Sequence, residues 1–83
     1  MTYELIIDED AVKFLESLQP DLKEQIFNKI LSTKENPHHF FERLAGRTDY
    51  KLRVGDYKVI ADIEDSNKII KVTLIGHRRN VYK

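Results

Sequence analysis

Apolar positions recur every three to four residues in the first half of this chain and every second residue in its last third. Ala11, Val12, Leu15 and Leu18 have the spacing of one helix face; Leu22, Ile26, Phe27, Ile30 and Leu31 have that of a second. The pattern predicts two helices, over about residues 8–19 and 20–35. Asp8 stands where an N-cap belongs, and Glu9 and Asp10 suit the positive end of the first helix. Pro20 is tolerated in the first turn of the second, with Gln19 as its cap, and Asn36-Pro37 ends it. Leu15, Leu18, Ile26 and Ile30 are the expected core positions.

Strand patterns flank these helices. Tyr3 to Ile7 reads as a short strand. Gly55-Asp56, set between two alternating runs, is a hairpin turn of the Gly-X kind. The polar turn Glu64-Asp65-Ser66-Asn67-Lys68 leads to a last strand, Ile69 to Ile75, with Ile70, Val72 and Leu74 on one face and Lys71 and Thr73 on the other. The stretch from His38 to Asp49 has no period; Phe40, Phe41 and Leu44 are expected to anchor it as a loop, with Gly46 in a turn. The order is strand, helix, helix, strand, strand, strand. It predicts an α+β fold: two N-terminal helices on one face of a mostly antiparallel four-stranded sheet. At 83 residues, 1–83 is expected to form a single domain.

A two-residue turn at Gly55-Asp56 sets Val54 opposite Tyr57 and Arg53 opposite Lys58. Lys51, Arg53 and Lys58 then share one face; Tyr50, Leu52, Val54, Tyr57 and Val59 share the other. Like charges directly opposite each other destabilise a sheet. Such a hairpin is expected to hold an anion, and a phosphate fits.

Charge supports this. The formal net charge is zero, yet residues 1–42 hold four Lys/Arg against nine Asp/Glu, and residues 43–83 hold ten against five. A basic half attracts nucleic acid while the whole chain stays neutral. Cysteine is absent, no apolar run approaches the roughly 18 residues of a membrane span, and the acidic start is no signal peptide, so a cytoplasmic protein is expected. The chain lacks a Gly-x-Ser-x-Gly elbow, a P-loop, an HExxH motif and a Rossmann fingerprint. Adjacent His38 and His39 are not a chelating pair, and no metal or cofactor is expected. What remains is Lys51, Arg53, Lys58, His77, Arg78, Arg79 and Tyr82. That set suits RNA cleavage, because RNA carries its own nucleophile in the 2′-OH and needs only orientation, proton transfer and charge stabilisation.

Two blocks carry a resemblance: Tyr50-Lys51-Leu52-Arg53-Val54-Gly55-Asp56-Tyr57-Lys58-Val59-Ile60 and Gly76-His77-Arg78-Arg79-Asn80-Val81-Tyr82. In order and spacing they resemble the RelE/ParE toxin superfamily, and the RelE branch most. The resemblance implies a toxin of a type II toxin–antitoxin system that cleaves mRNA in the ribosomal A site, without metal, leaving a 2′,3′-cyclic phosphate. It implies a RelB-like antitoxin that wraps the toxin, and operator DNA bound only through that complex. It assigns the catalytic positions to Lys51, Arg53, Lys58, Arg78 and Tyr82, with Arg79 and His77 as further RNA contacts. Arg53 stands where the family often has lysine and cannot accept a proton. Lys58 stands where arginine is usual. The proton acceptor is then Lys51, whose like-charged neighbours favour its neutral form, or His77.

Two other readings share the fold. One is a ParE-like DNA gyrase poison, which can dispense with the cationic cluster. The other is an inactive subunit that serves only to bind antitoxin and repress.

Overall fold

The structure, a computed structural model, describes residues 2–44, 46 and 48–77. Along the chain come β1 (Glu4–Ile7), α1 (Glu9–Glu16), α2 (Pro20–Ser32), α3 (Pro37–Phe40), β2 (Glu42–Arg43), β3 (Tyr50–Val54), β4 (Tyr57–Glu64) and β5 (Ile69–His77). Among the described residues no helix is long and apolar enough to cross a membrane.

Both long helices form where the apolar period lies, and both stop earlier than it predicts. The Ser17 hydroxyl donates to the Phe14 carbonyl at 2.6 Å, and the buried Thr33 hydroxyl donates to the Ile30 carbonyl at 2.6 Å. Such local bonds compete with the next helical turn. Asp8 has the extended backbone of an N-cap but makes no side-chain capping bond; its carboxylate lies 3.9 Å from Lys71 Nζ.

The sheet has five strands in the order β1-β5-β4-β3-β2, not four. β1 pairs with β5 in parallel, and the other neighbours are antiparallel. The additional strand is β2, which lies in the stretch expected to be a loop and pairs Glu42 with Lys51 and Arg43 with Tyr50. Two residues are too few to display a period. Before it, Pro37 opens the single turn α3, where its missing N–H costs nothing.

The helices cover one face of the sheet. Ala11, Leu15, Ile26 and Ile30 meet Leu52, Val54, Val59, Ala61, Ile70, Val72 and Ile75 there. Ile26, Ile30, Val59, Ile70 and Val72 are fully enclosed. Leu18 is only partly buried, and Phe27 and Leu31 are each 38% exposed. Of the two phenylalanines expected to anchor the 38–49 stretch, Phe41 enters the core and Phe40 turns outward.

A bulge corrects the expected facing of β5. Ile60 pairs with Leu74, but its neighbour Ala61 pairs with Val72, leaving Thr73 as the extra residue. Beyond it the alternation inverts: Ile75 is 3% exposed in the core and Leu74 is 43% exposed on the open face. An additional residue reverses every side chain downstream.

Candidate active site

The face of the sheet away from the helices carries the basic cluster. Gly55, at φ +58, makes the hairpin turn tight, a conformation that favours a residue without a Cβ. The register is the expected one: Val54 opposite Tyr57, Leu52 opposite Val59, and Arg53 opposite Lys58. Lys51 therefore lies two residues from Arg53 on the same face. On β5, the residue beside Lys58 is Gly76, which adds no side chain to that row. Next along come Lys51, the buried Ile60 and the exposed Leu74. The cations thus sit at the hairpin end of an open surface whose middle is apolar.

Sequence reasoning missed one member. Glu42, opposite Lys51 on β2, places Oε1 3.2 Å from Lys51 Nζ. Its side chain is 72% exposed and that of Lys51 29%. Lys51 thus has an acidic neighbour as well as the cations of its own hairpin. A shallow cavity of about 430 Å³ opens at this edge, lined by Phe40, Glu42, Lys51 and Arg53.

His77 lies on the other side. It is paired with Tyr57, the ring centroids 5.4 Å apart, and Tyr57 in turn stands 6.1 Å from the Phe14 ring of α1. The odd residue at Thr73 produces this placement, which separates His77 from Lys51, Arg53 and Lys58. Arg78, Arg79 and Tyr82 lie outside the described residues.

A second polar cluster joins three distant segments. The Tyr3 hydroxyl donates to Asp65 Oδ1 at 2.7 Å, and His38 Nε2 lies 2.7 Å from the same oxygen. His38 packs edge-on against Tyr50 at 5.3 Å, and Lys68 Nζ stands 5.1 Å from the centre of the Tyr3 ring. The bond from Tyr3, then that from His38, holds the Asp65 carboxyl below its ordinary range; the same bond raises the Tyr3 hydroxyl. This cluster ties α3 and the start of β1 to the β4–β5 turn. Among the described residues no group of three or more His, Cys, Asp or Glu side chains is placed to hold a metal ion.

Known proteins share this fold. A family model described as ParE toxin of type II toxin–antitoxin system, parDE, matches residues 5–82. The mRNA interferase toxin RelE of Escherichia coli strain K12 is 30% identical over 81 residues, covering 94% of this chain and 85% of that protein. The archaeal RelE–RelB complex from Pyrococcus horikoshii superposes with a TM-score of 0.81 at 27% identity, covering 98% of this chain and all of that one. The intact E. coli RelBE toxin–antitoxin complex gives 0.78 at 25% identity, covering 90% and 95%. The RelBE2 complex of Mycobacterium tuberculosis, at 17% identity, shares the fold with a TM-score of 0.82 over 94% of this chain and 100% of that one. With this family match, relatives and fold, the chain belongs to the RelE/ParE superfamily of type II toxin–antitoxin toxins.

Proposed function

We propose that this toxin is a ribosome-dependent endoribonuclease that cleaves mRNA in the A site without metal. The observation that carries the reading is the direct pairing of Arg53 with Lys58 on an open sheet face, with Lys51 alongside. Two cations facing each other across a ladder repel, and an RNA phosphate between them is attracted to both. The relative named an mRNA interferase supports it.

The reaction needs no outside nucleophile. The substrate's 2′-oxygen attacks phosphorus, the bond to the 5′-oxygen breaks, and a 2′,3′-cyclic phosphate remains. The 2′-hydroxyl proton passes to an acceptor, and the 5′-oxygen takes up a proton as it leaves. Arg53 and Lys58 stabilise the extra negative charge on the phosphorane, Arg53 through a planar fork and Lys58 as a point charge. Lys51 shares their face, unlike His77, and as the acceptor it would first give up its proton and with it the ion pair to Glu42. By resemblance, Arg78 adds a phosphate contact and Tyr82 flanks the cleaved step.

The partner in this reading is a RelB-like antitoxin, supported by the antitoxin–toxin complexes among the structural neighbours. Val12, Phe27 and Leu31 leave apolar surface on the helices, and Ile6 and Leu74 leave more on the open face. Surface of this kind suits an amphipathic segment that covers it. Operator DNA is reached only through that complex.

The description of the matching family model favours a second reading, a ParE-like gyrase poison. Primer extension on translated messages after brief induction separates the two. New 5′ ends in translated messages that disappear with Arg53→Ala and Lys58→Ala support RNA cleavage. Altered supercoiling with intact messages replaces it with the gyrase reading.

A further inference from the structure

The cavity at the β2 edge has a composition that phosphate binding does not explain. A site for phosphate alone gains nothing from a carboxylate, yet Glu42 lines this one beside Lys51 and Arg53, and Phe40 supplies an aromatic wall. Its volume of about 430 Å³ lies within the range of small-ligand pockets. Phe40 is 36% exposed although it is large and apolar. The ring already has two neighbours: Lys29 Nζ stands 5.1 Å from the ring centre, and His39 meets it edge-on at 5.0 Å. Phe40 nonetheless lines the cavity.

We propose that Phe40 and Glu42 form a nucleobase pocket that selects guanine next to the phosphate held by Arg53 and Lys58. The proposal rests on the ribonuclease reading for its biological use, but not for its binding chemistry. Single-stranded RNA presents unpaired Watson–Crick edges and stacks its bases on aromatic side chains. A carboxylate only accepts hydrogen bonds, and its two oxygens offer about four acceptor sites, so the Lys51 ion pair leaves capacity. Guanine alone among the four bases sets two donors side by side on that edge, N1–H and the N2 amine. Adenine and cytosine offer one amine beside an acceptor nitrogen, which the carboxylate repels. Uracil offers a single N3–H between two carbonyls. Lys51 holds the Glu42 carboxylate in place, which makes Lys51 a positioning residue for the base as well as a member of the cationic cluster.

The test titrates the purified toxin with 2′-O-methyl trinucleotides, which lack the attacking hydroxyl, carrying guanine, hypoxanthine or adenine in the middle. Hypoxanthine keeps N1–H and loses only the amine. Wild type is expected to bind the guanine form about tenfold or more tightly than the other two. In Glu42→Gln, which preserves shape but offers one acceptor oxygen, the ratio should fall towards one; Phe40→Ala should weaken all three alike. Equal affinities in wild type, no binding of any trinucleotide, or a guanine preference that survives Glu42→Gln overturns the pocket. Mapping of 5′ ends on ribosome-bound messages gives the second arm, where the guanine bias should decline in Glu42→Gln. A toxin that cuts no message yet prefers guanine loses the ribonuclease reading and keeps the pocket. One that cuts without base bias and binds all three alike loses the pocket and keeps the ribonuclease.

Discussion

The two faces of the sheet do different work with the same strands. On the helix side, Leu52, Val54, Val59, Ala61, Ile70, Val72 and Ile75 close against α1 and α2. On the other side the same strands present Lys51, Arg53 and Lys58 at one end, Ile60 and Leu74 in the middle, and Asp62 opposite Lys71 beyond. Stability is concentrated on the first face, which leaves the second to be patterned by charge. The difference implies that substitutions on the two faces should separate cleanly into folding and function.

The largest expected effect tests the covered face. Ile30→Ala, at a fully enclosed position, should cost about 2–5 kcal/mol of unfolding free energy, measured by urea titration of the toxin. A loss well below that range would mean the core collapses around the gap and the contrast between faces is shallower than drawn. The open face comes next. Lys58→Ala should lower the cleavage rate on the order of a hundredfold or more, because one charge-stabilising group is lost, while the urea midpoint shifts far less than in Ile30→Ala. A variant that loses folding and activity together would break the separation. At the hairpin tip, Gly55→Ala should cost about 1–2 kcal/mol, since a Cβ there meets no neighbour but the left-handed backbone disfavours it.

A smaller effect is expected at the Tyr3–Asp65–His38 cluster. Its bonds lower the folded-state pKa of Asp65, so its contribution to stability is present above the unfolded value of about 4 and is lost as pH falls through the folded value. Thermal melts of Tyr3→Phe should therefore show less loss between neutral pH and pH 3 than wild type. Equal acid sensitivity would remove the cluster's role in holding α3 against the β4–β5 turn. Finally, dialysing the toxin against EDTA before adding it to ribosomes in magnesium should leave cleavage unchanged. A loss restored by one added metal would assign the chemistry to that ion.

The hairpin was readable because its signal is redundant. Gly55-Asp56 sets the turn, and five alternating residues on each side fix the register, so the Arg53–Lys58 pairing follows from counting. The helices were readable for a similar reason, with their ends misjudged only where Ser17 and Thr33 bond back to the preceding turn. Glu42 gave no such signal. A two-residue strand has no period, and its pairing with Lys51 depends on how α3 and Phe41 seat the chain at the sheet edge. The facing of Leu74 and Ile75 was illegible for another reason: both are aliphatic, so the apolar pattern reads the same with or without a bulge at Thr73. His77 inherited that ambiguity.

That bulge lets β5 carry one residue more than its partner strand without moving the groups beyond it. Deleting Thr73 would close the bulge and leave Leu74 opposite Ile60, Ile75 opposite Val59 and His77 opposite Tyr57. A deletion elsewhere in β5, with Thr73 kept as the odd residue, has no such relief and shifts the register of whatever follows. The strand thus holds a place where its length can change by one and its surface need not.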